Sequence, residues 1–243
     1  KRIILLMSLL LAGTAFARAS EKSEKEVLKV GTFNLRMDTP ADGENAWSHR
    51  KELVKDLLRF YDYDLFGTQE GFTHQLEGIL ELGTYRFIGA GRDDGREAGE
   101  HSAVFYRTDR FKVLEEGNFW LSETPEKPGL GWDATCCNRI CSWGKFEDLQ
   151  SGKQFYFFNV HFDHEGVVAR RESAHLMIDR IRRIAGEHPV FLTGDFNATP
   201  TDEPIRILED GGLLRDAYKI TEEPPFGPFC TYHGYDSTVN TEE

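Results

Sequence analysis

Apolar and polar positions along this chain fall into short runs, some alternating and some with a helical period, and most runs end on a polar or ionisable side chain. Residues 27–35 alternate, carry β-branched positions and predict a strand ending at Asn34. Ser48 is placed to cap a helix to about Tyr61, with Leu53, Val54, Leu57 and Leu58 on one face. Residues 64–70 read as an apolar strand closing on Glu70, followed by a helix over 73–82 that Gly83 stops. Strands are then predicted at 85–90, 102–107, 111–115 and 140–146, and the turn Ser151-Gly152-Lys153 leads into a strand over 154–160. Residues 167–185 form the longest helical pattern, closed by Gly186, and 188–194 form a further strand. Hairpins mixed with βα crossings predict an α/β fold in which two sheets form a sandwich with helices outside, not one doubly wound sheet.

The strand ends carry the candidate chemistry. Residues 189–193 deliver Gly194-Asp195-Phe196-Asn197, and another apolar strand ends in Asn159-Val160-His161-Phe162-Asp163-His164. Open α/β sheets bind ligands at the carboxyl ends of their strands. Each residue has a plain structural explanation: Asn34 as a turn residue, Glu70 as the acid of a helix N-terminus, His161 as a satisfied core histidine. A buried aspartate nevertheless costs several kcal/mol unless it is paired or binds a cation. Four separate strands ending in carboxylate, amide or imidazole therefore point to a shared site.

Val30-Gly31-Thr32-Phe33-Asn34, Gly67-Thr68-Gln69-Glu70, Asn159-Val160-His161 and Gly194-Asp195-Phe196-Asn197 resemble, in this order, the motifs of the endonuclease/exonuclease/phosphatase superfamily. That superfamily includes deoxyribonucleases, abasic-site endonucleases, deadenylases, sphingomyelinases and inositol-polyphosphate phosphatases, and the motif style is nearest the deadenylase-like branch. The resemblance runs from about Leu28 onward and implies a deoxyribonuclease-like sandwich. It also implies roles. Glu70 resembles the metal-binding glutamate, with Asn34 helping to hold the ion or a phosphate oxygen, and hard oxygen ligands suit Mg²⁺ or Mn²⁺. Asp195 resembles the residue that orients or deprotonates the attacking water, with Asn197 donating to the phosphate. His161 resembles the histidine that hydrogen-bonds the scissile phosphate, and as a cation it would stabilise developing charge. Arg139 is a candidate phosphate clamp or a structural ion pair; Asp163 and His164 extend the His161 motif at the rim. Trp47 with Arg50 covers the pocket or packs in the core, and residues 89–101 form a mobile loop beside the site. Family members finish with Ser-Asp-His before a last strand, and nothing after Thr231-Tyr232-His233-Gly234-Tyr235 supplies it. The expectation is a chain lacking its last strands and weakly active by itself.

Composition narrows the partners. Lys1-Arg2, an apolar run from Ile3 to Leu11 and Ala15-Phe16-Ala17 predict a signal peptide over 1–17, a polar lead-in over 18–26 and one domain over 27–243. The protein is thus expected to be secreted or periplasmic, without stable membrane insertion, and a monomer. A formal charge of −12 disfavours tight binding to long duplexes but leaves open a short strand or a small phosphorylated molecule. Cys136, Cys137, Cys141 and Cys230 allow three disulfide pairings, and no zinc-ligand spacing appears. The function expected is a secreted, metal-dependent phosphoesterase: nuclease, nucleotide or inositol phosphatase, or sphingomyelinase-like. The alternative is a catalytically degenerate member that keeps only the phosphate-binding cleft.

Overall fold

The computed structural model describes residues 27–227, 231, 232 and 234–236, so the leader, the lead-in, Cys230, His233 and residues 237–243 lie outside the described residues. Strand β1 (Val30–Asn34) crosses through helix α1 (Trp47–Tyr61) to the parallel strand β2 (Leu65–Gln69). Helix α2 (Thr73–Leu80) follows, then β3 (Tyr85–Ile88) and β4 (Val104–Arg107), giving a first sheet of order β1-β2-β4-β3. The second sheet runs β5-β6-β7-β8, built from Phe111–Trp120, Ile140–Asp148, Gln154–His161 and Val190–Asp195. β5 to β7 are antiparallel, and β8 joins β7 in parallel after the crossover helix α3 (Val167–Ala185). Helices α4 (Glu203–Asp210) and α5 (Ala217–Ile220) come last. The result is the two-sheet α/β sandwich with outer helices.

The period-two rule explains the layering. On β7, Phe155 and Phe157 face the other sheet and meet Leu65, Ile88, Val104, Phe111 and Phe146. Their neighbours Tyr156, Phe158 and Val160 face α3 and pack with Met177, Ile181 and Leu208. Likewise Phe66 on β2 turns to the opposite layer, with Val54, Leu58, Leu76, Ile79 and Phe105. Each such ring or branched chain contributes about 1.5–3 kcal/mol by leaving water.

Polar side chains also meet between the sheets, Gln69, Thr193 and Asn159 among them. Asn159 is fully buried on β7. Its Nδ2 donates to the carbonyls of Thr68 (2.8 Å) and Ala103 (2.9 Å), and its Oδ1 accepts from Gln69 Nε2 (2.8 Å) and Thr193 Oγ1 (3.0 Å). Every donor hydrogen and acceptor lone pair of this amide is matched, and the two sheets are tied together through it. Gly67 makes room: a Cβ there would lie 2.3 Å from Asn159 Oδ1 and 2.4 Å from Thr193 Oγ1.

Several elements differ from their sequence expectations. Helix α1 begins at Trp47 after Ala46, so Ser48 is not its cap. Leu53 is 69% and Leu57 39% exposed, while Trp47, Val54 and Leu58 are buried, because 100° steps place only the latter on one stripe. β5 continues through Glu115 and Glu116 to Trp120 because pairing with β6 overrides the polar composition, with an irregularity after Val113. Helix α4, absent from the expectations, buries Pro204 and Leu208 and packs against α3. Among the described residues, no helix is long and apolar enough to cross a membrane.

Candidate active site

Both parallel strand pairs release their carboxyl ends toward one place. β1 and β2 run in register to Asn34↔Gln69, so Glu70 follows immediately; β7 and β8 run in register to His161↔Asp195. Ligand atoms of Glu70, His161 and Asp195 consequently lie within 4.8 Å of one another. Asn34 stands between the carboxylates, its Nδ2 donating to Glu70 Oε1 (2.8 Å) and to Asp195 Oδ2 (2.9 Å). Its Oδ1 accepts from the Arg36 backbone N–H (2.8 Å), which assigns the amide orientation. Asn34 therefore offers the site a donor: it holds two carboxylates together instead of supplying oxygen to an ion.

Asn197 is spent in a similar way. Its backbone N–H donates to Asp195 Oδ1 (3.0 Å), and its Nδ2 donates to the Phe162 carbonyl (2.9 Å) and to His161 Nε2 (3.1 Å). Both amide hydrogens are committed within the protein, so Asn197 orients His161 and has no hydrogen left for a phosphate. Because His161 accepts at Nε2, its proton belongs on Nδ1. Burial, reinforced by the Arg139 charge, pushes the His161 pKa down to about 4, although Asp195, 3.9 Å away, pulls the other way. The imidazole is neutral near pH 7, which corrects the expectation of a cationic His161.

The turn after β1 braces Glu70. The Met37 N–H donates to Glu70 Oε2 (3.0 Å), and the buried Gln75 side chain accepts from Asp38 N and Phe72 N and donates to the Arg36 carbonyl. Arg50 donates to the Leu35 and Arg36 carbonyls while Trp47 is buried in the core, so this pair supports the turn from beneath. Arg36, Glu70 and Asn197 all have left-handed backbone, at φ of 57°, 63° and 46°. Such conformations cost L-residues roughly 1–2 kcal/mol each and gather where a site demands them. Arg36, which sequence reasoning passed over, pairs with Asp42 and lies 3.9 Å from Glu70 Oε2; the Asp42 hydrogen bond raises its pKa.

Arg139 is 5% exposed and donates through Nε to Asp163 (3.3 Å) and through Nη2 to His164 Nδ1 (2.8 Å). Asp163 stays ionised below the usual range: burial opposes this, but the N–H groups of Gly166 and Glu165 and the Arg139 charge outweigh it. The His164 side chain is half exposed at the rim. Arg139 and His161 line a small cavity together with Arg92, Glu100, His101, Ser102, Asn138 and Ile140. Three of these belong to the loop over 89–101, which is closed on itself by Arg92 N to Glu100 O, Asp93 N to Ala98 O and a 2.7 Å Arg92–Glu100 ion pair. Arg92, Glu100 and His101 escaped sequence reasoning because no periodic pattern marks a loop; its Gly and Arg content was the one available signal. Cys136 and Cys137 form a disulfide just before Asn138 and Arg139, and Cys141 is a buried thiol whose pKa burial raises.

The donor set fits a hard divalent cation. Each oxygen of Glu70 and Asp195 accepts one hydrogen bond and keeps a second lone pair, while His161 Nε2 is already engaged by Asn197. Oxygen-rich sets of this kind suit hard divalent cations.

The sequence profile described as the Endonuclease/Exonuclease/phosphatase family matches residues 31–241. A solved mannosyl-6-phosphatase from Bacteroides thetaiotaomicron is 44% identical at a TM-score of 0.77, over 79% of this chain and 74% of that one. The human Nocturnin catalytic domain, solved with a sulfate anion, is 22% identical at a TM-score of 0.66, over 83% of this chain and 78% of that one, a likeness of fold. An uncharacterised protein of Acanthamoeba polyphaga mimivirus is 28% identical over 65% of this chain and 61% of its own. The chain spans about half the length of the curated relatives it matches, between 40% and 61% of each.

Proposed function

The chain belongs to the endonuclease/exonuclease/phosphatase family, and from that premise we propose that it is a divalent-metal-dependent phosphoesterase whose substrate is a small phosphorylated, hydroxyl-bearing molecule. The observation that carries this reading is the meeting of Glu70, His161 and Asp195 within 4.8 Å at the ends of two parallel strand pairs. A formal charge of −12 and the 44% identity to a mannosyl-6-phosphatase favour a small monoester over a long polyanion.

Glu70 and Asp195 would hold the ion, which when bound offsets phosphate charge and polarises the phosphoryl oxygens. Asp195 accepts a hydrogen bond from the attacking water and takes up its proton. The water oxygen bonds to phosphorus in line with the leaving oxygen, whose bond to phosphorus breaks; the leaving oxygen takes a proton from solvent, balanced by the one Asp195 gives up, and departs as an alcohol. Asn34 keeps the two carboxylates at a fixed spacing through this change of charge. Asn197 holds the His161 ring with Nε2 turned toward Asp195 and its proton on Nδ1, so a neutral imidazole stands beside the carboxylates. Arg139 adds positive potential behind the ring without touching the reacting atoms.

Phosphate release from a hexose 6-phosphate, with Mg²⁺ or Mn²⁺ against EDTA, tests this. We expect EDTA to abolish turnover and Glu70→Gln to lower kcat about 10²–10³-fold. Turnover that survives both would refute the metal-dependent reading; absence of turnover on sugar phosphates, nucleotides and oligonucleotides alike would favour the degenerate binding member. Export belongs to the same proposal, supported by the basic, apolar and small-residue run before Ala17 and by the Cys136–Cys137 disulfide. Sequencing the N-terminus of exported protein tests it, and a retained leader would refute it.

A further inference from the structure

Glu70 and Asp195 bring two negative charges to the phosphoryl centre, and the neutral His161 ring brings none. Two carboxylates already balance one divalent cation. A phosphate dianion arriving there therefore calls for a further cation. Three guanidinium groups act on the centre: Arg92 and Arg139 on His161, and Arg36 on Glu70. The side chains of Arg92 and Arg139 are 13% and 6% exposed, and each faces its own carboxylate, Glu100 and Asp163. The Arg36 side chain is 43% exposed. Of the three, it is the one that an incoming anion can reach.

The hydrogen bonds of Arg36 show which edge is open. Nε and Nη2 donate to Asp42 Oδ2 and Oδ1, both at 3.0 Å, so the side edge of the fork is held. Nη1 lies 3.9 Å from Glu70 Oε2, too far for a hydrogen bond. An arginine has five N–H donors, and among the described residues Asp42 engages two of them. Both hydrogens of Nη1 and the outer one of Nη2 remain, and that end edge is the one that grips two phosphate oxygens side by side. The backbone agrees. Arg36 sits at φ 57°, a region that suits glycine, asparagine or aspartate, and Asn34 Oδ1 accepts its N–H. Local preference does not explain an arginine at this corner, and the turn carries it back beside the Glu70 carboxylate.

We infer that Arg36 is a further catalytic residue, whose Nη1–Nη2 edge binds non-bridging oxygens of the phosphoryl group held at Glu70 and Asp195 while Asp42 fixes the plane of the fork. This rests on the phosphoesterase reading and deepens it by naming the side chain that grips the phosphate. The contact exists in the bound ester and persists as charge shifts in the transition state, so KM and kcat both respond to it.

Inorganic phosphate is the probe, titrated calorimetrically with and without Mn²⁺; Mn²⁺ affinity without phosphate is read by electron paramagnetic resonance. A positive charge 3.9 Å from Glu70 repels a cation and attracts an anion, so removing it moves the two affinities in opposite directions. We expect Arg36→Met to weaken phosphate binding about tenfold to a hundredfold and to leave Mn²⁺ binding equal or tighter. Arg36→Met/Asp42→Asn should lose phosphate to the same extent without stranding a carboxylate, which keeps the test decisive if the single variant folds poorly. Arg36→Lys keeps the charge but not the fork and should fall between. Arg183→Met removes a charge at a 72% exposed side chain on α3 and should change neither affinity; an equal loss there would reduce the effect to net charge and overturn the contact. The inference also falls if phosphate and Mn²⁺ binding weaken together, if the Arg36 variants hold phosphate as the wild type does, or if the wild type binds none. Hydrolysis of a hexose 6-phosphate separates it from the parent reading. Phosphate held through Arg36 by a protein that hydrolyses no ester would sink the phosphoesterase and leave the anion contact standing. Turnover undiminished in Arg36→Met would do the reverse.

Discussion

Replacing Asn159 by leucine, which has nearly the same shape, tests whether one amide clamps the sandwich. The change deletes four hydrogen bonds of 2.8–3.0 Å. Three partners keep an alternative: the Ala103 carbonyl retains Thr68 N–H, Gln69 Nε2 retains Thr32 Oγ1 at 3.2 Å, and Thr193 Oγ1 retains the Phe158 carbonyl at 3.5 Å. At about 0.5–1.5 kcal/mol per neutral bond, with part of the loss offset by the apolar side chain, the net destabilisation should be about 1–4 kcal/mol. For a domain of this size that lowers Tm by about 2–16 °C. Urea unfolding followed by tryptophan fluorescence measures it, with the m-value unchanged if the native state stays compact. Asn159 and Thr193 each lie two residues before a site residue, His161 and Asp195, so activity should fall even under conditions where the variant is folded. A loss below about 1 kcal/mol with full activity would refute the clamp.

Two further outcomes follow from the same geometry. In metal-free protein, His161 has a folded pKa of about 4 against an ordinary 6.5, so within that window the unfolded chain binds a proton that the native state does not. Its contribution is complete above pH 6.5 and is lost as pH falls toward 4, by roughly 3 kcal/mol in all; His161→Asn should flatten that slope in urea titrations, and parallel slopes would disprove it. Gly67→Ala puts a methyl 2.3 Å from Asn159 Oδ1 and should cost at least about 2 kcal/mol in thermal melts, an idea that a change within 0.5 kcal/mol would end.

What could be read from the chain beforehand was what local chemistry determines. Strands ending at Asn34, Glu70, His161 and Asp195 were legible because alternation names the strand and the first polar break names its end. Helix α3 was legible because nineteen residues keep one period up to Gly186. The direction of the Asn34 and Asn197 amides was not legible, since it depends on partners that other strand ends present: Glu70 and Asp195 for Asn34, His161 and Phe162 for Asn197. The neutral state of His161 depends on burial, which no linear pattern near it records. Leu53 and Leu57 misled because a run of leucines fits two adjacent helical stripes, and only packing against the first sheet and α2 chooses between them. The Arg92–Glu100 wall belongs to a loop whose shape comes from its own backbone hydrogen bonds, so its convergence on His161 lies beyond periodicity.

The left-handed turns at Arg36, Glu70 and Asn197 set a limit on engineering this protein. Glycine adopts that backbone freely, so a procedure ranking substitutions by folding free energy would favour it at all three. The gains would come from erasing a reactive carboxylate and the amide that aims an imidazole. Any thermostabilised version that keeps its chemistry must leave those three corners untouched and find its rigidity elsewhere.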